Sequence, residues 1–164
     1  MKNKKIKLLC SAGIFAALIF IFTSYFHVPV HTGYVHLGDA FIYLAASVLP
    51  LPYAIAAGAV GASAADFASG FALWAPATAI IKALTAACFS SKSPKLLSRR
   101  NLTAFVPAFV LCVLGYYLYE ALISSNFIAP LAGVLGNVVQ VVSSAAIFCF
   151  IAFALDKANI KKYL

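Results

Sequence analysis

Acidic side chains are scarce in this chain. Its 164 residues carry four Asp and Glu against twelve Lys and Arg, and charged residues make up only 10% of the total. Soluble domains average about 25% charged, so there is too little charge here to cover a water-exposed surface. Paired cysteines are missing as well. Cys10, Cys88, Cys112 and Cys149 form no CxxC and sit in or at the ends of apolar runs. That pattern suggests neither a disulfide framework nor a zinc site, and reads as small apolar packing residues. The chain has no G-x-x-x-x-G-K-[ST], no H-E-x-x-H, no paired-carboxylate metal motif and no Ser/His dyad in facing segments, which argues against a nucleotide-hydrolysing or intramembrane catalytic role. We therefore read it as a non-enzyme that calls for no metal and no cofactor. No internal repeat is evident, which weakens an inverted-repeat transporter.

What is present is hydrocarbon. Hydrophobic residues make up 64% of the chain and the mean hydropathy is +1.00. A transmembrane helix needs roughly 17–25 residues, so the length accommodates about six closely connected spans and leaves no room for a soluble domain. The apolar runs predict one all-α membrane domain over 1–164, with helices near 8–26, 37–49, 53–69, 75–89, 102–123 and 131–155. The first run follows a basic stretch but lacks a convincing cleavage site, and is expected to be an uncleaved helix. The net charge of +8 comes from Lys2, Lys4, Lys5 and Lys7, from Lys92, Lys95, Arg99 and Arg100, and from Lys157, Lys161 and Lys162, with Lys82 alone elsewhere. Six spans with both termini cytoplasmic put all but Lys82 on one side, as the positive-inside pattern requires. Five spans with a re-entrant pair would divide them.

With that topology, the ~1.5 Å rise per residue ranks the polar groups by depth. Asp39, Asp66, Trp74, Thr78, Lys82, Glu120, Asn137 and Gln140 all fall in the outer half of the bilayer. The inner halves are almost purely apolar. A pore or proton relay needs polar groups through the full thickness, whereas a one-sided cluster reads as a cup open to the outside. For each residue a structural role stands beside the binding role. Asp39 follows Gly38 at a helix start and suits a cap. Asp66 suits a bond to backbone or to Lys82. Lys82 costs about 2.5–3.5 kcal/mol to insert unless paired or hydrated, so it either lines the cup or forms an ion pair. Glu120 lies near enough to the interface to be solvated. Asn137 and Gln140 share a helix face and suit a heterocycle or a helix–helix hydrogen bond.

Tyr34, Tyr43, Trp74, Tyr116, Tyr117 and Tyr119 fall at the same level, mostly as interfacial aromatics, with one or two placed to stack on a planar ligand. His27, His31 and His36 fit no metal-ligand spacing, and the loop holding them is expected to fold over the cup. Ala12 and Ala16 make a small-xxx-small pair in the first helix, suited to close approach by another helix.

The chain resembles the S components of energy-coupling factor (ECF) vitamin transporters. Ala12-Gly-Ile-Phe-Ala16 is similar to the family's AxxxA motif. Gly33–Pro50, GYVHLGDAFIYLAASVLP, is similar to its stretch from the first loop into helix two. Gly61–Leu84, GASAADFASGFALWAPATAIIKAL, is similar to its helix three–four hairpin, G-x-A-x-A-D followed by P-A-T-x-x-I-K. The resemblance implies a prokaryotic plasma-membrane subunit that captures a vitamin or precursor, docks through Ala12 and Ala16 on a T component carrying two cytoplasmic ATPases, and topples to release its ligand. It points to riboflavin, hydroxymethylpyrimidine or pantothenate as substrate classes. A stand-alone solute transporter or facilitator is the alternative reading.

Overall fold

The computed structural model describes residues 2–29 and 34–162. Among the described residues, the regular structure is helical apart from one small hairpin. Helix α1 (Lys2–Ser24) leads into strands β1 (His27–Pro29) and β2 (Tyr34–His36), followed by α2 (Asp39–Val48), α3 (Leu51–Ala68) and α4 (Ala75–Cys88). A single-turn helix α5 (Arg99–Thr103), the long helices α6 (Phe105–Ser124) and α7 (Leu131–Lys157), and a final 3-10 turn complete it.

The breaks have local causes. Leu49, held extended before Pro50, ends α2, and Pro52 sits in the first turn of α3, where a missing N–H costs nothing. Between α3 and α4 the chain reverses at Gly70, whose φ of +83° falls in the left-handed region glycine tolerates. Ser98 caps α5 by accepting from the Asn101 N–H. Pro107 has no N–H to offer the Thr103 carbonyl, and the helix pauses at Ala104 before α6.

Cross-element contacts fix the two ends of the bundle. At one end, the hydroxyl of Tyr119 in late α6 donates to the Leu73 carbonyl just before α4, and Tyr34 of the hairpin packs on Phe71. At the other, Asn101 of α5 bonds Ser47 near the end of α2 and the Ser90 carbonyl just after α4. There too, Asp156 near the end of α7 accepts from the backbone N–H groups of Leu96 and Leu97 at 2.8 and 2.9 Å. We call these the hairpin end and the basic end.

Four helical runs are long and apolar enough to cross a membrane: Asn3–Ser24, Leu51–Ala68, Arg99–Ser124 and Leu131–Lys157. The other two apolar helices have 10 and 14 residues, about 15 and 21 Å against a hydrocarbon core of about 30 Å. Eight of the ten α2 residues are buried, which makes it the central helix. Large apolar side chains instead point outward around the bundle, Ile14, Val60, Val106, Leu135 and Phe150 among them. Such a surface belongs in lipid rather than water.

The core changes character along its length. Between α1 and α3 it is made of small residues, and a Cβ built on Gly61 would stand 2.6 Å from the Ala16 carbonyl oxygen. Toward the basic end it is aromatic. Tyr43, Phe89, Phe105 and Phe148 pack with ring centroids 4.8 to 6.2 Å apart.

The six apolar runs expected from the sequence are all helical, with three differences. The basic N-terminal stretch is part of α1, the first loop contains a β-hairpin, and α5 interrupts the basic loop.

Candidate ligand-binding cup

A cavity of about 60 Å³, open to solvent, lies beneath the hairpin among α3, α4, α6 and α7. Helical spacing explains its wall. On α7, Gly133, Gly136, Asn137 and Gln140 recur at three, four and seven residues and so share one face. On α6, Tyr116 and Glu120 are one turn apart, as are Trp74 and Thr78 at the head of α4. Asp66 contributes from the end of α3, and Tyr34, Val35 and His36 of β2 form the roof.

Hydrogen bonds hold this wall in place. The Tyr34 hydroxyl donates to Oδ1 of Asp66, tying the hairpin to α3. The Asp66 carboxylate is buried and also faces the Thr78 hydroxyl. Thr78 and Tyr116 share a hydroxyl–hydroxyl bond of 3.0 Å across α4 and α6. The Trp74 ring lies 6.0 Å from that of Tyr116 and 5.7 Å from that of Tyr119. His36 accepts from the Gly38 N–H at Nδ1, and burial pushes its imidazole down to about 3, so it sits in the roof as a neutral group.

Below the floor lies a closed polar knot. The Lys82 ammonium stands 2.8 and 2.9 Å from the two carboxylate oxygens of Asp39, and both side chains are essentially inaccessible. Gln140 donates from Nε2 to Asp39 at 3.0 Å and accepts from the backbone N–H of His36 at Oε1. It thereby joins the knot to the cup. The Lys82 ammonium also lies 5.1 Å from the Tyr116 ring centroid, on the cation–π side of the knot.

Of the nine residues the sequence suggested for binding, Tyr34, Asp66, Trp74, Thr78, Glu120, Asn137 and Gln140 line the cavity. Asp39 and Lys82 do not. Two charges at this depth find each other before they find solvent, and Lys82 pairs with Asp39 rather than with Asp66. Ala12 is buried and Ala16 abuts Gly61 of α3, while their neighbours Gly13 and Ala17 face outward. His27 and His36 are partners across the hairpin, and His31 lies outside the described residues. Sequence reasoning did not assign Val35, His36, Tyr116, Gly133 or Gly136 to the binding wall. Tyr116 carried a signal, one turn from Glu120, and the two glycines lay on the Asn137/Gln140 face.

An apolar helical bundle with a polar cup beneath the hairpin has the build of a multi-pass membrane protein with room for a small solute. Over residues 3–157 the chain matches the family described as ECF-type riboflavin transporter, S component, and it belongs to that family. It is thus the substrate-binding subunit of a vitamin transporter and not an enzyme. A comparison with curated proteins finds no match.

Proposed function

We propose that this chain captures riboflavin in the cup from outside a prokaryotic plasma membrane and delivers it through an ECF module of one T component and two ATPases. In this reading α2, at the centre of the bundle, and α4 complete six crossings, and both termini are cytoplasmic with the basic end. The cup faces out. The observation that carries the proposal is the convergence of Asp66, Asn137, Gln140, Trp74 and Tyr116 on one cavity, in a chain matched to the riboflavin S-component family along most of its length. Amide groups supply both donors and acceptors for a heterocyclic edge, and aromatic faces suit a planar ring. Docking on the T component falls to the outward face of α1, where Gly13 and Ala17 leave room for a second helix.

The test is direct. Purified protein in nonionic detergent should quench riboflavin fluorescence on binding, with one site per chain. Asn137→Ala should weaken binding by roughly tenfold or more, the scale of a lost buried hydrogen bond whose ligand partner is left unpaired. Absence of riboflavin binding by the intact protein overturns the substrate assignment.

A further inference from the structure

The mouth and the floor of the cup carry different chemistry. Asp66 lies two residues from the end of α3 and Glu120 four from the end of α6, about 3 and 6 Å below the helix ends. Gln140 is nine residues into α7 and Tyr116 eight from the end of α6, about 12–14 Å down. Carboxylates therefore flank the mouth, and uncharged amide and hydroxyl groups form the floor. Among the described residues that line the cup, none is Lys or Arg. The nearest ammonium, Lys82, is neutralised by Asp39 and lies against the Tyr116 ring. Asp66 is only 4% exposed, and its carboxylate faces the hydroxyls of Tyr34 and Thr78, the latter shared with Tyr116. A carboxylate with about four lone-pair sites still has acceptor capacity to offer a donor from the occupant.

We infer that the cup selects neutral solutes rich in hydroxyl or N–H donors and turns away their phosphorylated forms. For the riboflavin reading, on which this assignment rests, the ring lies on the floor against the glycine-lined face of α7. The hydroxyl-bearing chain rises between Asp66 and Glu120 and donates to them. A phosphate on that chain brings a charge of about −1.5 to −2 and acceptor oxygens to a mouth that already holds two acceptors of the same sign. Repulsion across a few ångströms in a partly desolvated site is worth a factor of roughly ten or more in affinity.

Two measurements on the intact protein decide it. In low salt, riboflavin 5′-phosphate should bind at least about tenfold more weakly than riboflavin. The isosteric variants Glu120→Gln and Asp66→Asn/Glu120→Gln should close that gap stepwise, the double variant to within about threefold. The single variant leaves the Tyr34–Asp66 bond intact and guards against loss of fold. The second measurement needs no vitamin. Trp74 is the only tryptophan and it lines the cup, so iodide should quench its fluorescence far less than neutral acrylamide does, and iodide quenching should rise in the double variant. Equal affinity for the two flavins, or iodide quenching unchanged by the double variant, overturns the charge selection. If riboflavin does not bind at all, the substrate reading falls, and the quenching comparison still decides the charge selection by itself.

Discussion

An ammonium group enclosed by helices persists only if another charge meets it, because desolvation of an isolated ion is too costly. Lys82 meets Asp39, and the pair is extended by Gln140 on one side and the Tyr116 ring on the other. In this arrangement Lys82 of α4 is joined through Asp39 of α2 to Gln140 of α7 beneath the cup. Removing one partner leaves a buried charge uncompensated, at about 3–5 kcal/mol. We expect Lys82→Met and Asp39→Asn each to lower thermal stability on that scale. The double variant should lose distinctly less than the sum, measured by thermal unfolding in detergent as a double-mutant cycle. Strictly additive losses would mean the two residues act independently. The partnership was not legible in the sequence. Depth alone placed Asp39, Asp66 and Lys82 in one half of the molecule, and which carboxylate the lysine reaches depends on how α2 packs inside α3, α4 and α7.

At the scale of elements, most of the helices were legible because twenty-odd apolar residues in a row permit little else. The hairpin was not. His27–His36 reads HVPVHTGYVH, with a proline, a glycine and polar residues that signal a loop, and its strands are only three residues long. They are secured by tertiary contacts such as Tyr34 with Asp66 and Phe71. Helix α5 was hidden for a similar reason, since one turn inside a basic loop has no periodicity to detect. Helix α1 is subtler. A small-xxx-small pair states that a helix approaches closely but not which helix, and within this chain Ala16 receives α3 at Gly61 while Ala12 is buried.

That assignment separates two sets of substitutions. Gly61→Val drives a branched side chain into the Ala16 backbone and should destabilise the bundle by about 1–3 kcal/mol, with Ala12→Trp at least as damaging. A Cβ on Gly13 meets nothing within 4 Å. Gly13→Trp and Ala17→Trp should leave the melting temperature and riboflavin binding unchanged while abolishing ATP-driven uptake by the assembled transporter. Uptake preserved in both would remove the outward face of α1 from the docking surface. Ala12→Trp that folds, binds and blocks uptake would return docking to the Ala12/Ala16 face.

The whole molecule is polarised. The polar groups that line the cup gather near the hairpin end, and two layers lie between them and the basic end. The first is the aromatic cluster of Tyr43, Phe89, Phe105 and Phe148. The second is a polar staple in which Asp156 caps Leu96 and Leu97, Asn101 binds Ser47 and Ser90, and Lys161 donates to the carbonyls of Ser91 and Ser93. This division was legible in outline, because the depth order of the polar residues follows from counting along six apolar runs. The staple was not, since its partners come from three separate loops and ends. A solute resting on Gln140 would have to displace the aromatic cluster and then break the staple to leave at the basic end, so binding and passage are separate events. Vesicles holding the purified protein alone should therefore bind riboflavin stoichiometrically yet admit none beyond that amount, however long they are incubated. Adding the T component, both ATPases and ATP should start accumulation. Sustained flux through the lone protein would mean that the basic end opens without a partner, and would replace the subunit reading with that of a self-sufficient facilitator.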